Sequence, residues 1–168
     1  MSDKINPFEK KKKGVFFFKS SNPYEFYDLL NGKNMDDKQD VWGTLIFPEN
    51  AKKPCPLIIP IHGSAGLREG HHTHMVNLLD AGFAIFRIHH FESRGVISIV
   101  ENQTEVTLAS MITDAFRALT LVSKHPDVDS DKIGIMGWSL GGSTAFYAAW
   151  QPIICLLYTS DAADDIAC

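Results

Sequence analysis

Ser139 stands at the centre of "GWSLG" (137–141), between the apolar run "KIGIMG" (132–137) and the small-residue stretch "GSTAFYAAW" (142–150). A serine on a sharp strand-to-helix turn lifts its hydroxyl above the sheet, and flanking glycines remove side chains that would collide with strand and helix. At the start of such a helix the Leu140 amide points into the same space, where it can stabilise a developing oxyanion. The competing reading is a glycine turn that only packs helix on sheet. A phosphate-cradling loop does not fit, because the lysine of a P-loop and the three-glycine dinucleotide spacing are both missing.

A second stretch, "HGSAG" (62–66), follows the apolar run Leu57 to Ile61. A loop with so little side-chain bulk lets the Ser64 amide face a carbonyl under attack. Alone it reads as an ordinary turn; paired with the serine turn it becomes a second oxyanion donor.

A serine hydroxyl needs a base, and a strand-turn-helix serine of this kind takes its partners in the order serine, acid, histidine. All seven histidines lie at or before His125, so no histidine follows Ser139. Asp161, Asp164 and Asp165 do follow, after a single strand-like run, and read as surface charges. Upstream, His62 belongs to the "HGSAG" loop, and His89 and His90 end a neighbouring strand where active-site loops gather; they read as loop histidines before they read as a base. His71 and His74 share a helix face, but no third ligand stands at a recognisable spacing, so no metal is expected.

The elements that must hold these residues form a regular series. Val41 to Phe47 and "LIIPIHG" (57–63) read as strands, the second as one covered on both faces, with Pro60 a weak point in it. "HHTHMVNLLDAG" (71–82) reads as a helix ended by Gly82, and "FAIFRIHH" (83–90) as the next strand. The helix that follows shows Leu108, Met111, Ile112, Ala115, Phe116, Leu119 and Val122 at three- and four-residue steps, with Asn102 and Glu105 at capping-box spacing. "KIGIMG" is a third buried-type strand. Strand and helix alternating in this way predict a parallel sheet with crossover helices, in one domain.

With 168 residues, 45% of them apolar, and a formal charge of −4, the chain is mildly acidic and has no basic stripe for nucleic acid. Lys10 to Lys13 is a short basic block that reads as a solvated terminus. No run reaches the roughly 18 apolar residues of a membrane span, so no membrane partner and a cytoplasmic location are expected. Cys55, Cys155 and Cys168 are odd in number and lack CxxC spacing, and read as reduced thiols.

From about Val41 to Trp150 the chain resembles the α/β-hydrolase superfamily and, within it, the dienelactone hydrolase-like family. The pieces that carry the likeness are "VWGTLIFPE", "PLIIPIHGSAGLREG", "GFAIFRIHHFESRGV", "DAFRAL" and "HPDVDSDKIGIMGWSLGG". The resemblance implies an α/β-hydrolase fold, a mostly parallel sheet with helices on both faces, cut short after the helix that follows Ser139. It also implies a serine hydrolase acting on a small-molecule carboxylic ester or lactone through an acyl-enzyme, without cofactor. Dienelactone hydrolases proper carry cysteine at the nucleophile position, so serine here points toward a general esterase. "HHFESRG" (89–95) sits where the family has an aspartate-led loop ending in Arg-Gly: His89 replaces the acid, and Arg94 either orients a substrate carboxylate through a bidentate contact or binds loop carbonyls.

The expected organisation is an N-terminal extension with a first strand region (1–40), a partial hydrolase domain (41–152) and a tail (153–168). Within that tail, "CLLYTSDAADDIAC" (155–168) resembles translated sequencing-adaptor read-through, the alternative being that "IICLLYTS" is a genuine further strand. Two other functions stay open: a non-catalytic fragment or pseudo-hydrolase lacking Asp and His, and an acyltransferase or peptidase using the same residues.

Overall fold

A computed structural model describes Phe8 and residues 12–158. Five strands form one mixed sheet in the order β1-β2-β4-β3-β5: β1 (Gly14–Ser20), β2 (Gln39–Ile46), β3 (Cys55–Ile61), β4 (Ala84–Ile88) and β5 (Val128–Gly137). The three inner-to-edge strands β4, β3 and β5 are parallel, while β2 runs antiparallel to both β4 and β1. The helices are α1 (Phe26–Leu30), α2 (Glu69–Asp80), α3 (Leu108–Val122), α4 (Leu140–Ala148) and α5 (Gln151–Tyr158).

The connection β3-α2-β4 steps one way across the sheet and β4-α3-β5 steps back over β3. Right-handed crossovers in opposite directions place α2 and α3 on opposite faces, and they leave a crevice at the carboxyl ends of β3 and β5 where the direction reverses. Both "HGSAG" and "GWSLG" leave their strands at that crevice.

The core follows from the sequence patterns. Leu57, Ile59 and Ile61 of β3 and Ala84, Ile85, Phe86 and Ile88 of β4 are buried, as strands covered on both faces must be. Pro60 lies beyond Ile58, the last residue of β3 paired to β4. A second cluster gathers Leu29, Ile112, Phe116, Ala148, Ile153 and Leu157, which packs α1, α3, α4 and α5 together.

Three local expectations need correcting. The capping residue of α3 is Thr107, whose Oγ1 accepts the Ser110 N–H at 3.1 Å, whereas Asn102 and Glu105 meet each other in the preceding loop at 3.4 Å. The alternative reading of "IICLLYTS" as a further strand does not hold for its described residues: 153–158 belong to the helix α5, and Ile153 and Leu157, four apart, both reach the second cluster. Cys155 is disulfide-bonded and not a reduced thiol, while Cys55 is free and buried. The strand β1 was not separable by pattern within residues 1–40: its "FFF" run hides the alternation of a buried Phe16 and an exposed Phe17 at a sheet edge. Asp161, Asp164 and Asp165 lie outside the described residues.

Candidate active site

The turn from β5 into α4 holds Ser139 at φ 53° and ψ −119°, a left-handed conformation that side chains other than glycine avoid. Close packing imposes it. A Cβ on Gly137 would overlap the Gly141 carbonyl, and one on Gly141 would overlap the Ile61 carbonyl, so the turn closes only with glycine at both places. Trp138 N–H donates to Ile61 O at 3.1 Å and ties the turn to the end of β3.

The "HGSAG" loop reaches the same point. A Cβ on Gly63 would stand 2.9 Å from Trp138 O and 3.1 Å from Ser139 Cβ, so the two loops touch backbone to side chain. The Gly63 carbonyl accepts from Gly66 N–H at 2.9 Å and from His62 Nδ1–H at 3.0 Å. Because a trans peptide is planar, fixing that carbonyl aims the Ser64 N–H the opposite way. Among the described residues neither the Ser64 nor the Leu140 amide has an acceptor within the fold. The structure therefore places Ser64 next in sequence to the Gly63 that touches Ser139, and Leu140 directly after Ser139 at the start of α4.

The histidines are held elsewhere. Burial, with a smaller contribution from neighbouring His90, brings the His62 pKa down to about 4, so its ring is neutral. His89 stacks on Trp42 with ring centroids 3.5 Å apart, and its Nε2 accepts from Arg87 at 2.9 Å and faces Thr44 Oγ1 at 3.0 Å. Its Nδ1 lies 3.4 Å from Glu92, whose pKa this contact pulls down to about 2. His90 Nδ1 donates to the fully buried Asp114 at 2.8 Å. His125 bonds the Lys12 carbonyl at 2.9 Å. His71 stacks on Trp138 at 4.3 Å, and His74 lies 5.7 Å from the same ring. Among the described residues no histidine nitrogen hydrogen-bonds Ser139.

Arg94 falls on the second of its two readings. It makes a bidentate pair with Asp114 at 2.8 and 3.0 Å, and donates to His90 O at 2.9 Å, to Asn22 Oδ1 at 2.8 Å and to Ser21 O at 3.5 Å. These five contacts match the five N–H groups of a guanidinium, leaving none for a substrate carboxylate. Burial pushes the Asp114 carboxyl up, but His90 and Arg94 outweigh it and hold it below its ordinary value. Asp114 carried no sequence signal: it sits inside a helix, and only the fold reveals its partners. An apolar cleft of about 250 Å³, lined by Ile59, Phe116, Ile133, Ile135, Ala148 and Ile154, includes none of the candidate residues.

Residues 44–152 match the BD-FAE family model, an α/β-hydrolase family. The chain belongs to the BD-FAE family. Among curated proteins none matches it. Its fold is shared with the dienelactone hydrolase-like promiscuous phosphotriesterase P91 from metagenomic libraries, at 18% identity and a TM-score of 0.56 over 81% of this chain and 54% of that one. Est1E from Butyrivibrio proteoclasticus, solved with ferulic acid bound, is 28% identical with a TM-score of 0.53, over 66% of this chain and 43% of its own. The BD-FAE chain thus spans about half the length of the solved structures it resembles. The resemblance to dienelactone hydrolases and the α/β-hydrolase fold expected from the sequence both hold, with the sheet mixed because β2 is reversed. No helix among the described residues is long and apolar enough to cross a membrane.

Proposed function

We propose that this BD-FAE protein is a carboxylic ester hydrolase whose nucleophile is Ser139. The observation that carries the reading is the strained backbone of Ser139, held by glycine contacts against the "HGSAG" loop, with two unengaged amides beside it. Ser139 Oγ bonds to the acyl carbon while its proton passes to a base, and the carbonyl oxygen becomes an oxyanion facing the Leu140 and Ser64 amides. The tetrahedral intermediate collapses, the alcohol leaves with the proton, and water then releases the acid by the same route. Est1E, with ferulic acid bound, makes hydroxycinnamoyl esters the first substrates to try.

A second reading, a non-catalytic chain that keeps the fold, is favoured by one observation: the ring contacts of the upstream histidines run to groups other than Ser139. A chromogenic ester and a fluorophosphonate probe decide between them. Product formation and covalent labelling, both lost in Ser139→Ala, support the hydrolase; an unlabelled Ser139 overturns it.

A further inference from the structure

Ser64 is gripped at more than its peptide. The Ile99 N–H donates to the Ser64 carbonyl at 2.8 Å, and the Ser98 hydroxyl reaches the same oxygen at 3.4 Å. Gln103 Nε2 donates to Ser64 Oγ at 3.1 Å. Ile97 O would stand 2.5 Å from a Cβ on Gly66, so the segment after β4 lies directly on the "HGSAG" loop. Three of these contacts converge on Ser64, and the fourth falls on Gly66 of the same loop.

A serine hydroxyl has one proton to give and two lone pairs to receive with. A donated N–H from Gln103 occupies one lone pair and leaves the hydroxyl proton to point away from the Gln103 side-chain amide. Among the described residues that proton has no acceptor. The Ser64 N–H, fixed by the Gly63 carbonyl, follows directly on the Gly63 backbone that lies against Ser139.

We propose that Ser64 serves the oxyanion with its hydroxyl as well as its amide, and that Gln103 is a positioning residue that turns this hydroxyl toward the charge. The inference rests on the reading of Ser139 as nucleophile. Without Gln103 the hydroxyl is free to donate to other acceptors, and the oxyanion loses one preorganised donor.

The test is phosphonylation of Ser139 in the purified chain by a fluorophosphonate. The Ser139 O–P bond forms, fluoride leaves, the hydroxyl proton goes to solvent, and the phosphonyl oxygen stands in for the oxyanion. Labelling rate and the 31P resonance of the adduct are compared among wild type, Ser64→Ala, Gln103→Glu, Gln103→Lys and the Ser64→Ala/Gln103→Glu pair. Ser64→Ala keeps the amide and removes the hydroxyl, and is expected to slow labelling about tenfold, less than the loss of a whole backbone donor. Gln103→Glu, similar in shape but an acceptor at pH 8, should give the same slowing and the same 31P displacement, with no further loss in the pair. Gln103→Lys, which keeps a donor, should recover most of the rate. Gln103 is exposed, so these variants fold. Wild-type rate and an unmoved 31P resonance in Gln103→Glu overturn the inference and leave Ser139 standing. Absence of labelling in the wild type removes both.

Discussion

Gly63 and Ser139 are in contact across the crevice, with only 3.1 Å between Ser139 Cβ and the place a Gly63 Cβ would occupy. The "HGSAG" loop and the serine turn are thus one packed unit, and an added methyl must separate them. Gly63→Ala is expected to slow fluorophosphonate labelling of Ser139 at least tenfold while costing about 1–3 kcal/mol of stability from overpacking. Labelling kinetics and urea unfolding, run side by side, check it. A variant with unchanged kinetics sinks the idea that the two loops form one site.

Arg94 and Asp114 make a second testable pair. With Arg94 replaced by alanine, a fully buried carboxylate keeps only His90 and Ser20 as partners. Breaking a buried pair in this way costs about 3–5 kcal/mol. Urea unfolding of Arg94→Ala should show a loss of that size. A loss below about 1 kcal/mol, the range of exposed pairs, refutes the structural role of Arg94.

What the sequence disclosed depended on whether the signal was local. The alternation of apolar runs with helical periodicity located β3, α2, β4, α3 and β5, and the glycines around Ser139 and Ser64 announced their close approaches, because backbone contact tolerates no other residue. The strand β1 was obscured by three consecutive phenylalanines, and α5 by an apolar run too short to show its period. Long-range side-chain pairings left no trace at all. Nothing in "DAFRAL" marks Asp114 as the partner of His90 and Arg94, twenty or more residues away, and nothing in "NQTE" points Gln103 at Ser64, thirty-nine residues earlier.

The backbone of Ser139 stores strain that glycine does not feel. At φ 53° and ψ −119°, a non-glycine residue costs of order 1–3 kcal/mol. Ser139→Gly is therefore expected to raise the unfolding midpoint, by an amount corresponding to about 1 kcal/mol after glycine's own entropy cost in the unfolded state is subtracted. Differential scanning calorimetry on Ser139→Gly and Ser139→Ala distinguishes strain from side-chain loss, since alanine keeps the Cβ and should gain nothing. Equal midpoints for both variants contradict the strained turn.

His62 gives the fold a pH dependence whose direction is fixed. In the unfolded chain its imidazole takes a proton near pH 6.5, while burial in the folded chain delays protonation to about pH 4. Between those values the unfolded state binds more protons, so stability is greatest above pH 6.5 and falls as the pH drops toward 4. The difference of about 2.5 pH units corresponds to about 3 kcal/mol. His71 and His125 are lowered in the same sense, and Asp114, held below its ordinary value, adds a further loss at lower pH still. The contribution of His62 is isolated by His62→Gln, which cannot titrate. Unfolding free energies from urea titrations at pH 7, 6, 5 and 4.5 should fall less steeply in His62→Gln than in the wild type. Parallel slopes in the two proteins would show that the ring is not buried as a neutral group beside Gly63.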